Sequence, residues 1–229
     1  MTRFIFSLLI TLMTLTTYAQ KDVTKFLGIP VDGTKTQMIQ KLKAKGFKSS
    51  YYDRDILEGQ FNGSDVNVHI VTNGNKVYRI MVADKTPIDE TNIKYRFNKL
   101  CKQFENNSKY ITPPFDSDQY IDDNEDINYN ILTKKKRYEA VYYQKPEAMD
   151  SALIFNELKN IYLSKYTQEQ IENPTSAIVA DCENMAMKYF LDMVEKKTVW
   201  FMISENGYNK YTICMYYDNL YNQANGEDL

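Results

Sequence analysis

Residues 56–83 read ILEGQFNGSDVNVHIVTNGNKVYRIMVA, three alternating runs divided at Asn62-Gly63 and Asn73-Gly74. Asn-Gly between such runs is the strongest short-range hairpin signal, because both residues accept positive φ. A two-residue turn at Asn62-Gly63 sets Phe61 against Ser64 and Leu57 against Val68. Leu57, Gly59 and Phe61 then share a face with Val66, Val68 and Ile70. At the second turn, a two-residue loop over Asn73-Gly74 would pair Val68 with Arg79 and mix the faces. A three-residue loop over 73–75 instead pairs Ile70 with Tyr78, Val68 with Ile80 and Val66 with Val82. The spacing predicts an antiparallel meander with one apolar face that needs a cover. The other face carries Asp65, Asn67, His69 and Arg79 and meets water.

Two amphipathic helices flank this meander. Thr34 and Gln37 form a capping box, Met38, Ile39 and Leu42 make the apolar stripe, and Gly46 is a left-handed stop with Phe47 folding back on Leu42. After Pro87, Asp89 caps a second helix whose stripe is Ile93, Phe97, Leu100, Cys101 and Phe104.

Further along, Pro113-Pro114 opens a loop with Asp116, Asp118, Asp122, Asp123, Glu125 and Asp126. Alternation then predicts strands over 127–133 and 138–144, joined through Lys134-Lys135-Lys136 and extending the sheet at its edge. Helices follow over 151–163 (Ile154, Leu158, Ile161 and Tyr162 on one face) and 176–196 (Ile178, Cys182, Met185, Ala186, Tyr189 and Met193). A last hairpin, 198–204 with 210–217, is apolar on both faces and so belongs in the sheet interior. Runs of strands with segregated helices predict an α+β fold, an antiparallel β-meander sheet with helices packed on one face. A helix–strands order recurs in the two halves without an alignable internal repeat.

At the N-terminus, Arg3, the apolar run Phe4–Leu15 and Thr17-Tyr18-Ala19 before Gln20 fit a secretory signal. Residues 1–19 are therefore expected to be removed and 20–229 to form one domain, with a helix–meander–helix half (21–112) and a hairpin–helices–hairpin half (116–229). The apolar run is too short to favour a permanent membrane span, so no stable membrane insertion is expected after cleavage. Loss of Arg3 moves the net charge only from −2 to −3, a near-neutral balance that argues against nucleic acid. The expected location is the periplasm or outside the cell.

Taken together, FLGIPVDGTKTQMIQKLKAKGF, KVYRIMV, RFNKLCKQFENN, LSKYTQEQIENP, VWFMISENG and YDNLYNQANGEDL resemble a family of small exported proteins from gut Bacteroidota. The resemblance spans nearly all of the mature chain. It implies export and a shared fold and brings no activity with it. At fold level only, the helix-plus-meander is also similar to exported modules that inhibit β-lactamases or support outer-membrane assembly.

The sequence argues against several chemistries. The one histidine, His69, lies opposite Arg79 in the expected register and has no nucleophile elbow nearby. Asp122-x-Asn124-x-Asp126 begins like a calcium loop, but Ile127 and Thr133 replace the required glycine and glutamate. Phosphate-cradling glycine motifs are missing, and the spacing of Cys101, Cys182 and Cys214 fits no zinc site. Acid pairs such as Asp53 with Asp55 and Glu58 arise by chance in a chain with thirty acids, and the runner-up reading is a hydrolase that acts without histidine through carboxylates near the acidic loop. No cofactor or metal is expected. The cysteines read as buried thiols, with a Cys101–Cys182 bridge as the alternative.

Nineteen tyrosines remain, and Tyr138, Tyr142, Tyr143, Tyr211, Tyr216 and Tyr217 gather on the late strands. Tyrosine forms strands well, but it also stacks on sugars and anchors protein partners. The leading expectation is thus a non-enzymatic exported module that binds an envelope protein or a glycan. An inhibitor of a foreign enzyme is a third reading.

Overall fold

The computed structural model describes residues 22–113, 119–147 and 151–224. The expected signal, the acidic residues Asp116 and Asp118, and the last five residues of the tail lie outside these ranges.

Near the start, β1 (Lys25–Phe26) and β2 (Ile29–Pro30) form a small hairpin. The first half then runs α1 (Lys35–Ala44), β3 (Lys48–Ser49), β4 (Ile56–Phe61), β5 (Ser64–Asn73) and β6 (Lys76–Asp84). The second half runs α2 (Glu90–Glu105), β7 (Tyr110–Ile111), α3 (Ile127–Lys134) and β8 (Glu139–Gln144). It continues through α4 (Ser151–Leu163), α5 (Gln168–Glu172), α6 (Ser176–Val194), β9 (Thr198–Glu205) and β10 (Tyr211–Asp218). The fold is α+β. One antiparallel sheet has the strand order β3-β4-β5-β6-β10-β9-β8-β7.

That order reads the same outward from the β6/β10 seam. Each half supplies one covering helix and four strands, and the last strand of each half meets the other antiparallel, Met215 against Val82. The halves are thus a tandem topological repeat. Only the second carries insertions: α3 between its first and second strands, and the α4–α6 arm between its second and third.

The first hairpin has the expected register, Leu57 against Val68 and Phe61 against Ser64, with Asn62 and Gly63 at φ 49° and 76°. The second does not. Its turn is Gly74-Asn75, at φ 51° and 63°, with Asn73 against Lys76. A bulge at Val71/Thr72 then restores the faces, so Ile70 meets Ile80 and Val68 meets Val82. The observed register differs from the expected one by two residues, which leaves Val66, Val68, Ile70, Ile80 and Val82 on their expected face, while on the turn side of the bulge Val77 takes the core position expected for Tyr78.

Both helix ends follow their sequence signals. Thr34 and Gln37 make the capping box, and Phe47 N–H donates 3.2 Å to the Leu42 carbonyl past Gly46 at φ 99°. Met38 and Leu42 of α1, and all five stripe residues of α2, are buried.

The strand expected over 127–133 is a helix. Asp126 caps it by accepting from Tyr129 N–H, Lys135 closes it at φ 56°, and Ile127 and Asn130 face inward. Its alternation, Asn128-Tyr129-Asn130-Ile131, mimics a strand. The cap and the left-handed stop outweigh that pattern locally. β8 therefore has no hairpin partner in 127–133, and pairs with β9 and with the outermost strand β7. Helix α6 ends at Val194, and residues 195–197 form a 3-10 turn.

Candidate functional site

On the helix-covered face lies a cavity of about 910 Å3. Met215 and Tyr217 of β10 form its floor. Leu100, Gln103 and Phe104 of α2 form one wall, and the opposite wall is Leu27 and Gly28 of the β1–β2 turn with Phe61 and Asn62 of the first hairpin. Tyr110, Gln144, Glu147 and Lys197 also line it. The walls come from both halves of the repeat, so only the assembled sheet creates the space.

Long-range polar contacts fix these walls. The Gln144 amide reads the backbone of β1 in both directions, accepting from Lys25 N–H at 2.7 Å and donating to the Lys25 carbonyl at 2.7 Å. That orientation also points Nε2 at the Tyr110 hydroxyl, 3.3 Å away. The Tyr217 hydroxyl hydrogen-bonds to Tyr110 as well, and burial pushes the Tyr217 phenol well above its usual range. The Tyr110 hydroxyl thus accepts from Gln144 and sits beside the Tyr217 phenol.

Asn62 Nδ2 donates 2.9 Å to Gln103 Oε1, tying the first hairpin to α2. Phe104 packs edge-on against Tyr110, with centroids 4.7 Å apart. Phe26 lies 4.9 Å from Tyr217 and 5.2 Å from Phe61, which anchors the β1–β2 hairpin over the sheet.

Among these lining residues the Lys197 side chain is buried. Its ammonium donates 2.6 Å to Asp22 Oδ1 and 3.1 Å to the Lys145 carbonyl. Asp22 also accepts from Glu147 N–H at 3.0 Å, so one carboxylate holds both legs of the α4–α6 arm. Lys25 pairs with Glu147.

The six candidate tyrosines do not form one surface. Tyr138 is buried under α3, donating 2.6 Å to Glu125. Tyr142 is buried against Phe104, with its hydroxyl directed at the Cys101 carbonyl 3.4 Å away. Tyr211 is buried, donating 3.2 Å to Asn128. Tyr216 is half-buried on the uncovered face of the sheet, and Tyr143 is half-buried in an apolar groove it shares with Phe190 and Leu191 of α6. Only Tyr217 lines the cavity. Tyr110 and Lys197 had no signal in the sequence, because a strand of two residues and a buried lysine appear only once the sheet is assembled.

On the uncovered face Tyr216 stacks on Trp200 at 4.0 Å. Arg79 lies over both rings and makes a two-pronged ion pair with Asp218, at 2.6 and 2.7 Å. Trp200 Nε1 donates 2.9 Å to the same carboxylate.

The other sequence candidates are engaged elsewhere. His69 stands opposite Met81 and Ile56 rather than Arg79, and burial lowers its pKa against the pull of Asp53. Asp55 pairs with Lys35 and Glu58 with Lys85, and the Lys85 hydrogen bond holds the Glu58 carboxyl below its usual range. A general acid needs the opposite shift. Asp122 accepts from Asn124 N–H, Asp126 caps α3, and no metal-binding cluster occurs among the described residues. The three cysteines are free: Cys101 is buried with its thiol pushed up to about 11, and Cys182 lies on the arm.

No protein-family model, curated protein or solved structure matches this chain. No helix among the described residues is long and apolar enough to cross a membrane.

Proposed function

We propose that this protein is an exported, non-enzymatic binding module whose ligand, a glycan or a segment of an envelope protein, enters the cavity beneath the β1–β2 hairpin. The cavity itself carries the reading. At about 910 Å3, with aromatic and aliphatic walls and a few fixed polar groups, it has the size and lining of a ligand site. Tyr217 and Tyr110 present a ring and a hydroxyl together, the combination that sugars and peptides use. A carboxylate hydrolase has less support, since Glu147 is the one carboxylate among the described residues lining the cavity, and Lys25 holds it.

Glycan and peptide libraries screened against the wild type and Ser108→Trp test this reading. Ser108 is exposed at the cavity wall, so an indole there fills space without touching the core. Binding abolished by Ser108→Trp and retained by Trp200→Phe supports the cavity. Binding lost in Trp200→Phe and kept in Ser108→Trp would move the site to the uncovered sheet face.

A further inference from the structure

We propose that the cavity takes a hydroxyl-rich anion, a short saccharide bearing a carboxylate, an assignment that rests on the cavity being a binding site. Charge is the first observation. The whole chain is net −2, yet among the described residues the cavity is lined by four lysines and one carboxylate, Glu147. Lys25 and Lys197 are compensated by Glu147 and Asp22. Lys109 and Lys145 have no acidic partner among the described residues, so two positive charges remain. The C-terminal end of α2 opens nearby at Asn106, where the helix dipole supplies only about half a negative charge. The sign at the site stays positive, and a concave site of one sign concentrates ligands of the other.

An unspent donor is the second observation. Lys197 is buried among the residues lining the cavity, and two of its three N–H groups are occupied. The Tyr110 hydroxyl, which accepts from Gln144 Nε2, lines the same cavity. A buried ammonium with a donor to spare suits an oxyanion.

The third observation is the density of amides around Phe61 and Tyr110, where Gln60, Asn62, Gln103 and Asn107 line the walls. Each of these amides makes one hydrogen bond within the protein, and a fatty chain would bury the donors and acceptors that remain, at a cost in affinity, whereas ring hydroxyls satisfy them. Ring faces meanwhile stack on the aromatic wall.

Titration calorimetry with trigalacturonate, its fully methyl-esterified form and decanoate tests the assignment, at low and at physiological salt. Trigalacturonate is expected to bind with an affinity that falls as salt rises, and the neutral ester more weakly. The double variant Lys109→Met/Lys145→Met alters two exposed side chains. It should weaken the acid on the order of tenfold, the sum of two exposed charge contacts, and leave the ester unchanged. Equal binding of acid and ester, indifferent to the lysines, would overturn the anion while leaving the cavity as a site. Decanoate binding in preference to trigalacturonate would overturn the saccharide. Binding of trigalacturonate that survives Ser108→Trp would remove the cavity reading and this assignment together.

Discussion

Gly59 sits in the middle of β4 directly beneath the Phe47 ring. A methyl group added there would lie 2.6 Å from Cδ1 and 2.9 Å from Cε1. Phe47 has little room to yield, since its backbone N–H closes the end of α1 on Leu42 and its ring is buried 6.3 Å from Phe26. Gly59→Ala gains strand propensity worth about 0.5–1 kcal/mol. The overpacking costs about 1–3 kcal/mol, so a net loss of stability is expected in urea unfolding. Adding Phe47→Leu should recover part of that loss, because the smaller side chain removes the clash. Additive effects of the two substitutions would show that the contact does not decide the outcome. Each partner was legible in sequence, Gly59 on the apolar face and Phe47 folding back past Gly46. Their contact depends on where the end of α1 lands on the sheet, which no local pattern specifies.

The α4–α6 arm shows the same limit for whole elements. Its two apolar stripes were readable, yet the sequence did not say what each one faces. Ile154, Leu158 and Ile161 are half-buried, as are Ile178, Cys182 and Met185, and the two longer helices pack on each other rather than roofing the sheet. Across residues 151–194 only Val194 is buried. The arm's legs are held instead by Asp22, through Lys197 and Glu147. Replacing residues 148–194 with a short Gly-Ser linker should therefore leave a cooperative sheet, with Tm changed by less than about 5 °C. A broad, non-cooperative melt would mean that the apolar groove between α6 and the sheet edge, where Phe190 and Leu191 approach Ile111 and Tyr143, holds the edge strands in place. The second hairpin and α3 were misread for related reasons. A bulge offsets a turn and keeps the faces only on the far side of it, and a run of eight residues satisfies both periodicities until its cap decides. Of the six tyrosines the sequence points to as binding residues, only Tyr217 lines the cavity. Lys25, Tyr110, Gln144 and Lys197 come together through pairings that cross most of the chain.

At the scale of the molecule, the seam between β6 and β10 decides whether the repeat is two units or one. Each half alone would leave a central strand with an open edge, and Ile80 and Val82 would lose the neighbouring strand that covers their flank. The N-terminal hairpin also crosses over: Phe26 packs on Tyr217, Asn219 donates 2.8 Å to the Val31 carbonyl, and Asn222 reaches Asp32 and Val77. A half of this size buries too little surface to be stable with such an edge exposed. Fragments 22–87 and 88–224 are accordingly expected to lack cooperative melts when separate. Refolded together, they should form a one-to-one complex with native circular dichroism. Cooperative folding of 22–87 alone would instead make the halves independent domains and the cavity a cleft between them. The same experiment bears on function, because Lys25 and Phe61 reach the cavity from one fragment and Leu100, Tyr110 and Tyr217 from the other. A molecule that binds there contacts only the joined pair. It should stabilise the complex by RT ln(1 + [L]/Kd), about 2.7 kcal/mol at a hundredfold excess over Kd, and leave either fragment alone unaffected.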